Sequence, residues 1–441
     1  MTSASPAATR IPRDGHPVSR KNISDSALTV MSRLRSGGFQ AFLVGGAVRD
    51  LLLGNHPKDF DVATDATPEE VHELFRNSRV IGRRFRIVHV RFGREIIEVT
   101  TFRGHHDNGI DDDDDEESAQ QSGNNHSKQS DSGMLLRDNV FGSLEEDAVR
   151  RDFTVNALYY CSSDFCVYDY VDGLADLEQH QIRIIGDAEQ RYREDPVRML
   201  RAIRFAAKLN FSIAPQTAAP IPELGYMLEA VPAARLFDEM LKLFMTGHAL
   251  STFQLLCEYG LLEHLFPATA TEMEHSTYAQ PLIEAAMRST DRRIAEEMPV
   301  TPAFVLAALL WEPALQMRYD LEDSGQEPMP AIQEAGQTII SEQLHHIAIP
   351  RRFTGPMREI WEFQLRLQNR GNKAVSLLSH RRFRAAYDFL LLREEAGEDL
   401  DGLGQFWTEL QEKHPDIEVD RTSSREDRPR PRRRRRRKRP Q

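Results

Sequence analysis

Ala41-Phe42-Leu43-Val44-Gly45-Gly46, with Asp59-Phe60-Asp61-Val62 a short way downstream, is the stretch on which the reading of this chain turns. Ala41 to Val44 reads as a short buried strand, and the glycine pair lets the backbone approach a ligand without Cβ interference. Ala47 to Gly54 reads as a helix stopped by glycine, its first amides facing whatever lies over Gly45 and Gly46. In Asp59-Phe60-Asp61-Val62, strand alternation puts the two carboxylates on one face and Phe60 and Val62 on the other. An isolated Asp-x-Asp is also common in turns and edge strands. Here the glycine pair lies upstream, and a third acid, Glu98, stands among strand formers in Ile96-Ile97-Glu98-Val99. A close-approach turn beside convergent carboxylates suits a phosphate ester and a hard oxygen-liganded cation, the equipment of Mg²⁺-dependent phosphoryl or nucleotidyl transfer.

Outward from this stretch the local signals are strong. Ser24 or Ser26 caps a helix carrying Leu28, Met31 and Leu34, ended by Gly37-Gly38. Thr67-Pro68-Glu69-Glu70 is a helix start with a cap, a proline at the first position and early acids. Arg86 to Phe92 and Glu95 to Thr101 read as two strands joined at Gly93, with Glu95 competing with Glu98 as the site carboxylate. Residues 1–20 lack periodicity and read as a flexible leader. Residues 105–133, with an acidic run from Asp111 to Glu117 followed by a Ser/Gln/Asn/Gly-rich stretch, read as a disordered loop, since they hold too little apolar surface to fold. A metal-binding acidic patch is the alternative for that run. From about residue 140 the pattern is largely helical, as in 233–246, 302–311, 355–367 and 382–394.

The 441 residues exceed one compact core, so two or three domains are expected. Three cysteines, Cys161, Cys166 and Cys257, show no paired spacing and argue against disulfides or zinc. With no apolar run of about 18 residues and no signal peptide, a soluble cytoplasmic protein without a membrane-spanning segment is expected. The net charge of −12 conceals an asymmetry, because twelve Arg or Lys and two acids in residues 421–441 give a local +10. Arg432, Arg433, Arg434, Arg435, Arg436 and Arg437 form an unbroken run, suited to a polyanion held by counterion release. A solvated tail that binds nothing specific is the plainer alternative.

Two downstream segments complete the pattern: Arg150-Arg151-Asp152-Phe153-Thr154-Val155-Asn156-Ala157-Leu158 and Arg193-Glu194-Asp195-Pro196-Val197-Arg198-Met199-Leu200-Arg201. A helix through residue 152 would put Asp152 and Asn156 on one face, suited to a ribose hydroxyl or a base edge. Asp195 reads as an N-cap before Pro196, with Arg198 and Arg201 following at three-residue steps. With Gly45-Gly46, Asp59, Asp61 and Glu98, these segments resemble the DNA polymerase β-like nucleotidyltransferases, and within them the bacterial branch of CCA-adding enzymes and poly(A) polymerases. The resemblance covers roughly residues 11–270, with a weaker echo near 380–390. Arg13-Asp14-Gly15-His16, Gly82-Arg83-Arg84-Phe85-Arg86 and the helical, Arg-rich C-terminal part favour the poly(A) polymerase side, with CCA addition to tRNA as the alternative.

The resemblance implies an α+β fold: a nucleotidyltransferase head of mixed β-sheet and helices, an all-α neck and body, and a disordered basic tail. The expected divisions are leader 1–20, catalytic head 21–160, helical neck 161–270 with base recognition, RNA-binding body 271–415 and tail 416–441. It implies that Asp59, Asp61 and Glu98 hold two Mg²⁺ ions, and that Gly45, Gly46, Arg49, Arg150 and Arg151 seat the triphosphate of ATP, the substrate. Asp152, Asn156, Asp195, Arg198 and Arg201 would select ribose and base, and Arg235 with Glu239 would form an internal ion pair. Arg381, Arg382 and Arg384 are candidates for RNA contact, while Phe383 and Tyr387 fit the core better. The expected partners are 3′ ends of mRNA and other transcripts and RNA-decay machinery, with the chain acting as a monomer.

Overall fold

The computed structural model describes residues 8–82, 86–104, 141–371 and 374–417, together with the backbone of 128–129 and 135–137. The chain divides into two compact units, Met1–Leu243 with Gln254–Leu265, and Phe244–Phe253 with Phe266–Gln441.

The first unit is built on one sheet. Its strands are β1 (Thr9–Ile11), β2 (Ala41–Val44), β3 (Asp61–Thr64), β4 (Ser78–Ile81), β5 (Ile87–Phe92), β6 (Glu95–Thr101), β9 (Leu158–Tyr160) and β10 (Val167–Asp169). A separate antiparallel pair joins β7 (Lys128–Gln129) to β8 (Leu135–Arg137). The strand order in the main sheet is β1-β10-β9-β2-β3-β6-β5-β4. Every pairing in it is antiparallel except β3 with β6, which run parallel and set Asp61 beside Glu98. Helix α1 (Asp25–Ser36) packs on β2, β3 and β6, burying Ala27, Val30, Met31 and Leu34. Its N-cap is Ser24, whose hydroxyl accepts from the Ala27 amide at 3.1 Å. On the opposite face Phe42, Val44, Phe102, Leu144, Ala148 and Tyr159 form a buried cluster.

Helix α2 (Gly46–Leu52) follows β2 directly, and α3 (Pro68–Leu74) carries the expected capping box between Thr67 and Glu70. Helix α4 (Leu144–Arg150) leads into the Asp152 segment, followed by α5 (Gly173–Glu178), α6 (Ala188–Glu194) and α7 (Val197–Leu209). The second unit is helical. Its core gathers Phe363, Leu367, Phe383, Tyr387, Leu390 and Trp407, with the Trp407 indole donating to the Leu367 carbonyl at 2.9 Å. No helix among the described residues is long and apolar enough to cross a membrane.

The α+β head and helical remainder are as the sequence reads, with four corrections. Part of the leader is ordered: Thr9–Ile11 pairs with β10 as the sheet's edge strand, and buried His16 bonds the Phe165 carbonyl at 3.0 Å. Strand signals also continue past residue 140, because β9 and β10 complete the sheet. No helix runs through residue 152: α4 ends at Arg150, and only a short 3₁₀ turn covers Thr154–Asn156. Asp195 does not cap α7 with its side chain. Its carbonyl accepts from the Arg198 amide at 3.0 Å, while its carboxylate goes elsewhere. The acidic run, Arg83 to Phe85 and the arginine run of the tail lie outside the described residues.

Candidate active site

A single row of residues crosses the middle of the sheet. Tyr159 of β9 is registered with Val44 of β2, Val44 with Asp61 of β3, Asp61 with Glu98 of β6, and Glu98 with His89 of β5. Directly opposed strand residues share a face, so this register brings the two acids together with a tyrosine and a histidine on either side. His89 Nε2 lies 3.0 Å from Glu98 Oε1. Val44, Asp61, Glu98, Thr100, Asp147 and Arg151 line a pocket of about 140 Å³, with Arg103 and Arg150 also at its wall.

Burial, then the nearby Glu98 carboxylate, pushes the Asp61 carboxyl up to about 6, against the pull of Arg151 and with a further push from Asp59. Asp59 itself stands exposed in the loop just ahead of β3, so strand alternation does not place it, although its charge reaches Asp61. Among the described residues no group of three or more His, Cys, Asp or Glu is already gathered as a metal cage. The donor set nevertheless fits a hard divalent cation. Two carboxylates held against each other repel, and a cation taking their oxygens relieves that repulsion.

Gly45 completes the approach to this pocket. It has φ +72° and ψ −139°, a conformation open to glycine, and a Cβ there would sit 4.0 Å from both Asp61 Oδ2 and Arg151 Nη1. Gly46 opens α2 beside the Arg49 guanidinium. Arg49 is buried, donating to Asn156 Oδ1 at 2.7 Å and to Asp50 Oδ1 at 2.8 and 2.6 Å. Arg49 and Asn156 therefore brace the glycine turn together, while Asp152 faces another partner.

Arg151 is held by residues that sequence reading passed over. Buried Asp147 Oδ2 accepts from Arg151 Nε at 3.1 Å and Nη2 at 2.9 Å, and from the Tyr159 hydroxyl at 2.6 Å. The Tyr159 oxygen in turn accepts from Arg151 Nε at 2.8 Å. One edge of the guanidinium is thereby fixed, and its Nη1 is the atom near Gly45. The negative charge of Asp147 holds Arg151 well above the ordinary arginine range despite its desolvation. Tyr159→Phe keeps the ring in its core cluster and removes both hydrogen bonds of the hydroxyl, each worth about 1 kcal/mol. The expected result is a KM for ATP raised about fivefold with kcat little changed; an unchanged KM contradicts this positioning role.

The remaining expected residues are spread over paired charges. Burial pushes the Asp152 carboxyl up, but the Arg201 guanidinium outweighs it and holds the group down at about 2. Arg201 Nε donates to Asp152 Oδ2 at 2.7 Å. The Asp195 carboxylate receives a bidentate pair from Arg235, at 2.8 and 2.7 Å, so Arg235 is not paired with Glu239, which binds Lys242 instead. Arg198 Nη1 donates to the Arg191 carbonyl at 2.7 Å and to Glu194 Oε2 at 2.8 Å. Arg191, also unforeseen, donates to the carbonyls of Arg150 and Arg151 at 2.7 and 2.6 Å and so ties α6 to the turn after α4. Arg150 donates to the Gly104 carbonyl.

The family description "Poly A polymerase head domain" matches residues 41–183, "Probable RNA and SrmB- binding site of polymerase A" matches 210–273, and "Polymerase A arginine-rich C-terminus" matches 324–441. Poly(A) polymerase I of Escherichia coli O157:H7 is 50% identical over 419 residues, covering 93% of this chain and 88% of that protein. This chain belongs to the bacterial poly(A) polymerase family. A CCA-adding enzyme of Lactobacillus gasseri is 35% identical over 243 residues, 54% of this chain and 55% of that protein. The crystal structure of the Bacillus stearothermophilus CCA-adding enzyme in complex with CTP superposes with a TM-score of 0.58 at 24% identity, covering 89% of this chain and 83% of that one. That likeness concerns the fold alone.

Proposed function

We propose that the chain is a polynucleotide adenylyltransferase that adds AMP from ATP to RNA 3′ ends without a template, releasing pyrophosphate. The observation that carries this reading is the register of Asp61 against Glu98 beside the Gly45 turn, within a chain half identical to a poly(A) polymerase over nearly its whole length. CCA addition is the second reading; its relative above matches only about half of the chain.

In the reaction the RNA 3′-oxygen bonds to the α-phosphorus of ATP, the bond from that phosphorus to the α,β-bridging oxygen breaks, and the hydroxyl proton is lost. Asp59, Asp61 and Glu98 would hold two Mg²⁺ ions, which when bound activate the 3′-hydroxyl and neutralise the departing pyrophosphate. Gly45 lets the triphosphate come close to the backbone, and Arg151 supplies fixed positive charge beside it. Asp195 and Arg198 offer a hydrogen-bond acceptor and donors for a base edge, while Asp152 and Asn156 are held by Arg201 and Arg49. The nucleophile belongs to the RNA, so no serine or cysteine of the protein is required.

The reading extends to a monomer acting in the cytoplasm on mRNA and other transcripts, upstream of RNA decay. Free, buried Cys161 and Cys166 suit a reducing compartment. Chelation tests the cation requirement: EDTA should stop AMP incorporation and added Mg²⁺ restore it, whereas incorporation persisting in chelator would remove the carboxylate assignment.

A further inference from the structure

The helical unit holds a pocket of about 230 Å³ lined by no residue assigned to catalysis. It lies among the helix Ala279–Ala295, the start of the helix Pro302–Leu309, and the helix Phe383–Glu395. Its apolar lining is Pro299, Val300 and the half-buried ring of Phe304, which is fixed edge-on against Phe389 with centroids 5.9 Å apart. Its charged lining is Arg293, Arg381 and Arg384 with one carboxylate, Asp388. Three guanidiniums against one acid is a local positive excess in a chain whose net charge is −12.

These groups are held in place. Arg293 Nε and Nη2 donate to the Pro299 carbonyl at 3.1 and 3.0 Å, which makes that guanidinium part of the pocket wall. Asp388 Oδ1 receives Arg384 Nε at 2.9 Å, and Asp388 Oδ2 lies 3.8 Å from Arg293 Nη1. The side chain of Arg384 is 70% exposed, and this is its one recorded ion pair among the described residues. Arg381 of the lining and neighbouring Arg382 share Glu359, so the basic character continues along the surface. An aromatic ring beside a wall-bound and an exposed guanidinium matches a nucleobase joined to a phosphate. The continuation through Arg382 suits the next phosphate of a strand, which a free nucleotide does not have.

We propose that this pocket holds one nucleotide of the RNA substrate strand, its base against Phe304 and its phosphate between Arg293 and Arg384. The proposal rests on the RNA-polymerising reading but is tested apart from it. A 4-thiouridine-bearing oligonucleotide photo-crosslinked to the full chain should label the segment containing Phe304, with or without excess AMP. Arg384→Glu should raise the KM for RNA about tenfold, leave the KM for ATP in place and flatten the salt dependence of RNA binding by about one phosphate contact. Phe304→Leu should weaken the crosslink there. Arg358→Glu makes the same charge change on another helix of the unit, at a residue bonded to Gln337, and should have a smaller effect. Absence of the crosslink, or equal effects of Arg384→Glu and Arg358→Glu, overturns the proposal. Suppression of the crosslink by AMP would reassign the pocket to a free nucleotide and equally overturn it. A chain that crosslinks at Phe304 yet adds no AMP would instead fail the catalytic reading.

Discussion

Asp61→Asn is expected to reduce AMP incorporation by about a thousandfold or more while leaving the protein at least as stable as before. The activity loss follows from removing the acid that the β3–β6 register sets against Glu98. The stability result follows from the same geometry. An Asp ordinarily ionises near 3.8, and here the folded protein holds the proton up to about 6. Between those values the unfolded chain gives up its proton first, so stability falls as pH rises from about 4 to about 6 and stays lowered above. A carboxyl displaced that far corresponds to up to about 3 kcal/mol of native-state cost at neutral pH. In thermal melts with chelator, Asp61→Asn should therefore raise the Tm at pH 7.5 and leave it unchanged at pH 3.5. A Tm lowered at pH 7.5 would mean that Asp61 is a structural residue.

Arg235→Ala is expected to lower kcat/KM for ATP by about 10- to 100-fold and to erode the preference for ATP over CTP. Arg235 touches neither the Asp61 pocket nor Glu239; both of its terminal nitrogens hold the Asp195 carboxylate. A fixed acceptor can distinguish bases by their edges, and a carboxylate free to turn discriminates less, because a wrong partner no longer leaves it unpaired. Arg235→Lys keeps the charge but loses the fork geometry, so it should recover activity better than it recovers selectivity. The measurement is the ratio of kcat/KM values for ATP and CTP. A ratio unchanged in Arg235→Ala, with activity reduced, would confine Arg235 to holding the helices together.

The contrast between these two residues shows what the sequence makes legible. Asp61 and Glu98 stand out because a lone acid among strand formers has no apolar reason to be there. The caps at Ser24 and Thr67 and the strands around Gly93 are equally local signals, and all appear in the structure. The hairpin at Gly93 even contains the register that pairs His89 with Glu98, since Phe92 opposite Glu95 fixes every pair behind it. The hairpin pattern alone therefore places His89 opposite Glu98.

Other features depend on contacts distant in sequence. Leu158-Tyr159-Tyr160 is buried throughout, so it lacks the alternation that marks a half-exposed strand and merges with the helical pattern around it. Thr9–Ile11 is a strand because β10 offers an open edge, which no property of three residues announces. The helix expected at Asp152 failed because tertiary partners separated the two residues: Asp152 turned to Arg201 and Asn156 to Arg49. Asp195 looked like a cap because acids before Pro-initiated helices commonly are. Arg235, forty residues on, outcompeted the amides with a charged bidentate pair.

The account's central claim is tested most directly by offering the purified chain and Mg²⁺ two RNAs, an unstructured oligonucleotide and a tRNA lacking its terminal CCA. Each is incubated with ATP alone, with CTP alone and with both. The account predicts long ladders on the oligonucleotide with ATP alone and little extension with CTP. Extension confined to the tRNA, stopping after CCA when both nucleotides are present, would contradict it.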